Sequence, residues 1–276
     1  MIILLLSHYG TIVITFKILT KFFSNFARAT AYQCMPIMKD LNDFFSVKDR
    51  YIPQLSVDCV IFGFHDQQLK VLLLKLKNLD VWALPGGYVE QIEGIDEAAR
   101  RILEERTGLT DIYLEQFRVF GAAHRPTKEF IQKIMEVHRP EAKNDLWVLQ
   151  RFVSIGYYAL VDFSKVTPMP DFLSESCEWF EVKQLPKLAF DHSEITQKAL
   201  ETLRLMLDYK LVGFNLLAET FTMIELQSLY ETILETSFRR NNFQRKMLSM
   251  NILERVEKLY TGAANKAPYL YRFKSK

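Results

Sequence analysis

Residues 84–109 read Leu84-Pro85-Gly86-Gly87-Tyr88-Val89-Glu90-Gln91-Ile92-Glu93-Gly94-Ile95-Asp96-Glu97-Ala98-Ala99-Arg100-Arg101-Ile102-Leu103-Glu104-Glu105-Arg106-Thr107-Gly108-Leu109. The first half, from Trp82 to Gly87, reads as a loop. The second half predicts a helix over 95–106, because Ile95, Ala98, Ala99, Ile102 and Leu103 fall on one side at helical spacing. Gly108 supplies the usual helix stop.

Strand patterns flank this loop and helix. Over 51–64, Leu55, Val57, Cys59 and Ile61 alternate with Ser56, Asp58, Val60 and Phe62, the period of a strand. A turn at His65-Asp66-Gln67-Gln68 leads to a second strand over 69–77. Residues 112–120, 151–161 and 178–182 read as further strands. Between the first two of these, 127–150 is long and charged, with a helical middle (Phe130, Ile131, Ile134, Met135), and reads as an insertion. Asp191 stands three residues before Glu194 as a cap, and 195–209 is an amphipathic helix. His192 reads as a capping or hinge residue.

The fixed gaps Gly87, Glu93, Arg101, Leu103, Glu105, Gly108 and Leu109, entered through Leu84-Pro85-Gly86, resemble the signature of the Nudix hydrolases, G-x5-E-x7-R-E-U-x-E-E-x-G-U. The resemblance implies an α/β/α sandwich around a mixed sheet. Carboxylates three and four apart share one helical face, and in that family they hold Mg²⁺ or Mn²⁺ at a diphosphate. Here the first motif glutamate is Ile102 and the last is Arg106, so only Glu105 of the three remains. A cation beside a divalent ion costs about 4 kcal/mol per unit pair at ~4 Å and an effective dielectric of ~20. No catalytic residue, metal or cofactor is therefore expected. Asp58, Trp82, Glu93, Arg101 and Glu105 are the candidate ligand-binding residues. The bland alternatives are an ion network tying loop to helix (Glu93, Arg101, Glu105), a strand Asp satisfied by backbone, and a packed Trp82.

Charge is distributed unevenly. The last forty residues hold ten basic side chains and only Glu254 and Glu257 as acids, a net +8, so the other 236 carry −6 within the total of +2. Such asymmetry points to a polyanion. Thr222 and Glu225 form a capping box for a helix over 223–234, with Leu226, Leu229, Tyr230 and Ile233 as its stripe. A second helix begins near Asn241, burying Phe243, Met247 and Met250. A basic β-hairpin over 252–274 follows. Helix, turn, basic helix and hairpin make a winged helix-turn-helix. Arg239, Arg240, Asn241, Gln244, Arg245 and Lys246 are the candidate DNA-reading residues, with Lys266 and Arg272 on the wing.

With this second domain the chain resembles the Nudix-related transcriptional regulators over roughly 53–276, with an α+β fold of a Nudix sandwich followed by a winged helix. That resemblance implies a homodimer, a duplex DNA operator and a small effector, either a sugar such as arabinose or an ADP-ribose-like nucleotide. An active Nudix pyrophosphatase with an accessory domain is the alternative function, and an RNA-binding Nudix-like protein a third.

Domain limits follow: 1–49 as an extension outside any domain, 50–189 as the effector domain with its insertion at 127–150, and 190–276 as linker helix plus winged helix. The extension contains no acid up to Cys34. Its apolar runs fall short of the ~20 residues of a spanning helix. Its positive charges follow the apolar run rather than preceding it, unlike a signal peptide. Met35 and Met38 are candidate starts. Cys34, Cys59 and Cys177 give neither a disulfide framework nor a zinc spacing, so a cytoplasmic setting without a membrane role is expected.

Overall fold

The structure, a computed structural model, describes residues 48–110, 112–125, 128–138, 147–209, 215–260 and 267–274. The extension up to residue 47 and the wing residue Lys266 lie outside the described residues.

Strand β1 (Tyr51–His65) is the spine of a seven-stranded sheet. It pairs antiparallel with β2 (Gln68–Leu76), which in turn pairs with β3 (Trp82–Ala83). The glycine-rich stretch is not all loop: β4 (Gly86–Glu90) pairs antiparallel with β1, Asp58 facing Gly86. Helix α1 (Ile95–Thr107) follows, and Gly108 closes it in the left-handed conformation, φ 72°. Then come β5 (Tyr113–Phe120), helix α2 (Lys128–His138), β6 (Val153–Val161) and β7 (Ser174–Glu181). Strand β6 runs parallel to β1 and antiparallel to β5, so the sheet is mixed. Strand β7 pairs with β2 and starts earlier than its apolar pattern suggests.

The alternation along β1 separates two layers. Val57, Cys59 and Ile61 meet Ala98, Ala99, Ile102 and Leu103 of α1. Val60 and Phe62, on the other face, meet Ile195, Ala199, Leu200 and Leu203 of helix α3 (His192–Tyr209). This helix begins three residues before its apolar stripe. It is not a free linker: its stripe buries against the sheet and makes it the second helical layer of the sandwich.

The remaining elements are β8 (Phe221–Thr222), α4 (Met223–Leu234), α5 (Arg240–Ser249), β9 (Leu253–Lys258) and β10 (Tyr269–Phe273), with the three strands ordered β8-β10-β9. The capping box is formed as expected, Thr222 Oγ1 accepting from Glu225 N at 3.2 Å and the Glu225 carboxylate accepting from Thr222 N at 2.6 Å. Phe243 and Met247 of α5 are buried and Met250 is half-buried.

One apolar cluster joins both domains, because Leu203 and Leu207 of α3 share it with Leu226, Leu229, Tyr230 and Ile233 of α4. Polar contacts cross the same seam: Arg204 Nε donates to Ile233 O at 2.8 Å, and Thr232 Oγ1 donates to Gln67 O at 3.0 Å in the β1–β2 turn. Such a shared core predicts one cooperative transition for 48–274. Leu203→Ala, at a fully buried position, is expected to cost about 2–5 kcal/mol and to move that single transition down in scanning calorimetry. Two separate transitions, with only one displaced, would contradict the shared core.

Candidate functional site

The site is built around a charge that β1 carries into an apolar face. Asp58 stands on the α3 side of the sheet, beside Val60 and Phe62. Its Oδ2 accepts from Ser154 Oγ on the parallel neighbour β6. Gly86 passes so close that a Cβ there would lie 2.8 Å from Asp58 Oδ1 and 2.9 Å from Val57 O, which explains why the entry motif needs glycine at this point. The backbone is pinned on both sides, Cys59 N donating to Pro85 O at 2.8 Å and Leu84 N donating to His192 Nδ1 at 2.9 Å.

His192 is thus more than a hinge. It is buried, and because Nδ1 accepts a backbone N–H, its ring proton sits on Nε2, 3.5 Å from Asp58 Oδ1. The Asp191 side chain does more than stand before the helix. It takes the Arg125 guanidinium in a two-point pair at 2.6 Å each, while Arg125 also lies 3.7 Å from Asp58. Burial by itself would raise the Asp58 pKa; His192, the Ser154 hydroxyl and Arg125 outweigh it and hold the carboxyl below its ordinary value.

Asp58, Arg125 and His192 face a cavity of about 170 Å³. Its other walls include Leu74, Leu84, Phe190 and Asp171, together with Ile131 and Ile134 of α2. Helix α2, the apolar middle of the insertion, is therefore part of the cavity wall. Two carboxylates against one guanidinium make the polar end suited to hydroxyl and amino donors, and the apolar walls to a ring face.

Of the other candidates, none lines this cavity. Trp82 packs edge-on to Phe180 at 4.5 Å, under the Lys75 ammonium. Arg101 donates to Glu93 at 2.7 and 3.0 Å and to Tyr88 O at 3.0 Å, locking the loop to α1. Glu105 is exposed and meets Arg101 at 3.5 Å and Arg106 at 3.6 Å. Ser154, Arg125 and Asp191 were not legible as site residues, since their partners lie 66 to 96 positions away in the chain.

A divalent ion needs several oxygen ligands, and the motif helix does not provide them. Ile102 is 1% exposed and packs against Gly87, while the Arg106 cation competes for Glu105. The residues present do not fit Mg²⁺ or Mn²⁺, and among the described residues no three His, Cys, Asp or Glu side chains gather as a metal site. Cys59 is buried and Cys177 half-buried, both unpaired with another cysteine.

In the second domain Arg239 is the N-cap of α5, and Arg240, Asn241, Arg245 and Lys246 are exposed along it. Gln244 is half-buried. Arg245 reaches Asn242 Oδ1 at 3.3 Å. On the wing, Arg272 is exposed and pairs with Glu254 at 2.9 Å, and the Arg255 guanidinium lies over Tyr269.

Comparison with known proteins agrees with this layout. Residues 52–199 match the NUDIX domain model, and residues 213–273 match the NrtR DNA-binding winged helix domain. The chain belongs to the Nudix-related transcriptional regulators. An ADPR-responsive transcriptional repressor of Acinetobacter baylyi, NtrR, is 32% identical over 229 residues, covering 80% of this chain and 82% of its own. The crystal structure of Shewanella oneidensis NrtR complexed with a 27mer DNA is similar at 28% identity and TM-score 0.62, covering 80% of this chain and 94% of that one. An ADP-ribose pyrophosphatase of Methanocaldococcus jannaschii is 29% identical over 52% of this chain and 70% of its own. The regulator thus has a Nudix domain of mixed α+β fold joined to a DNA-binding winged helix. No helix among the described residues is long and apolar enough to cross a membrane.

The ion cluster makes a stability prediction. Arg125→Met leaves Asp58 and Asp191 buried without their guanidinium and is expected to cost about 3–5 kcal/mol near neutral pH. The depressed Asp58 pKa contributes stability above the unfolded carboxylate value of ~3.9, lost as pH falls through the lower folded value. The deficit of the variant should therefore shrink as the pH falls below ~4 and Asp58 of the folded wild type takes up its proton. Urea titrations from neutral pH down to about pH 2 check this, and a deficit independent of pH would contradict it.

Proposed function

We propose that this regulator is a cytoplasmic homodimeric repressor whose Nudix domain binds an ADP-ribose-type ribosyl nucleotide and whose winged helix binds duplex DNA. The observation that carries it is the cavity. A buried Asp58–Arg125–His192 cluster sits at one end and apolar walls at the other, beside a motif helix stripped of its metal-binding carboxylates. Apolar walls from Leu74, Ile131, Ile134 and Phe190 suit a nucleobase better than a free sugar such as arabinose. The relative named ADPR-responsive supports the same choice. Donors on the ribose match the Asp58 end. The hydrolase reading loses support from Ile102 and Arg106, so the site binds rather than turns over its ligand.

Calorimetric titration of the full chain with ADP-ribose and with arabinose tests the effector. Binding of the nucleotide and not of the sugar is expected. Asp58→Asn should weaken ADP-ribose about tenfold or more, because it removes the carboxylate charge and turns one of the two acceptor oxygens facing the ribose hydroxyls into a donor. Tight arabinose binding with no response to ADP-ribose would reverse the assignment.

For DNA, Arg239, Arg240, Asn241, Gln244, Arg245 and Lys246 approach the major groove, and Arg272 with Lys266 the phosphates. With ~6–10 phosphate contacts in a dimer, affinity should fall about 10³–10⁵-fold between ~50 and ~200 mM salt. Arg245→Ala should cost about 1–3 kcal/mol on a duplex selected from a random pool and little on a scrambled one. Arg272→Ala should weaken both alike. Gel-shift titrations at several salt concentrations separate the roles, and identical behaviour of the two variants on both duplexes would remove the reading-helix assignment.

A further inference from the structure

Arg106 occupies the last glutamate position of the motif, in the final turn of α1. Its side chain is only 12% exposed, yet every contact it makes is long. Nη1 lies 3.4 Å from Glu105 O, and Nη2 lies 3.6 Å from the carboxylates of both Glu105 and Asp171. Its Nε is buried and has no hydrogen-bond partner among the described residues. A guanidinium offers five donors in a rigid fork, and buried donors are as a rule satisfied. Arg106 is therefore short of acceptors in a largely dry position.

The acceptor it lacks has a place beside it. Asp171 is part of the cavity wall and is mainly engaged elsewhere, its Oδ1 accepting from Leu173 N at 3.0 Å and from Ser174 Oγ at 2.6 Å. Gly87, also in the wall, would place a Cβ 3.1 Å from Ile102, four residues before Arg106 and on the same side of α1. The fork thus stands directly behind the wall where the motif fails as a metal site. The Asp58 end, with two carboxylates for one guanidinium, repels anions.

We propose that Arg106 replaces the divalent metal as the cationic anchor for the diphosphate of the effector, so that the effector binds without metal. This rests on the reading of the cavity as a ribosyl-nucleotide site. Arg106 is not itself in the cavity wall, and its fork reaches phosphate oxygens there by turning past Asp171, which it meets only at 3.6 Å; a two-point pair to the phosphate then satisfies Nε and Nη2 together. The ligand then lies with its hydroxyl-bearing sugar toward Asp58 and its diphosphate toward α1.

The test is calorimetry on the full chain with ADP-ribose, inorganic pyrophosphate and adenosine, each in EDTA and in Mg²⁺. Wild type is expected to bind ADP-ribose equally in both buffers. Arg106→Gln weakens ADP-ribose and pyrophosphate at least about tenfold, ~1.4 kcal/mol, and leaves adenosine unchanged. Arg106→Lys, which keeps the charge and loses the fork, falls between, and carries the test should the glutamine variant not fold. Asp171→Asn tightens pyrophosphate several-fold, a result that a merely structural Arg106–Asp171 tie does not give. Folded Arg106→Gln or Arg106→Lys binding ADP-ribose as tightly as wild type, or wild type binding only with Mg²⁺, overturns the anchor alone. Wild type binding none of the three ligands overturns the nucleotide reading and the anchor with it.

Discussion

The structure depends on how a buried Arg125 is held between two carboxylates from distant parts of the chain. Asp58 comes from the middle of β1 and Asp191 from the residue before α3. Placing these charges in an apolar layer costs several kcal/mol per ion unless each is paired and hydrogen-bonded. Arg125 meets the requirement with a two-point bond to Asp191, and Ser154 and His192 complete the shell of Asp58. The arrangement fixes where the segment after β5 lies, where α3 starts and, through the Leu84 N–H, where the glycine-rich entry to the motif runs. These three boundaries define the cavity.

The same constraint connects the cavity to the DNA-binding half. Helix α3 is 18 residues long, about 27 Å at ~1.5 Å per residue. Its first residue is His192 in the cavity wall. Near its far end, Arg204 bonds Ile233 O and pairs with Glu235 at 3.0 Å, and Leu207 O accepts from the Tyr230 hydroxyl at 3.4 Å. A ligand that displaces the start of α3 acts on a helix whose other end is packed against α4 of the winged helix domain. Such a rod supplies a physical route for coupling, provided the ligand discriminates between two placements of it.

What could be read from the sequence was what is local or periodic. The family resemblance carried by the residues from Gly87 to Leu109 implies the sandwich, the Thr222–Glu225 capping box sets the start of α4, and the stripe of Phe243 and Met247 locates α5. The cavity was far less legible. Arg125 and Asp191 are 66 positions apart, Asp58 and Ser154 96, and Leu84 and His192 108, so no window of sequence contains any of these pairs. Trp82 is left between ligand contact and packing by the sequence, because nothing local reveals that Phe180 closes over it. Strand β4 read as loop because paired glycines suggest a turn, whereas their pairing with β1 is tertiary. The missing motif carboxylates were visible at once, but the shortage of acceptors around Arg106 was not, since it depends on where Asp171 lies.

The proposed regulator couples its ligand site to its DNA site without a metal. Fluorescence anisotropy with a duplex selected by the wild-type protein, with and without saturating ADP-ribose in EDTA, addresses it most directly. DNA binding is expected to weaken with the nucleotide, by about 5–150-fold as is typical of such coupling. Equal affinity under both conditions, with ADP-ribose shown to be bound, would contradict it.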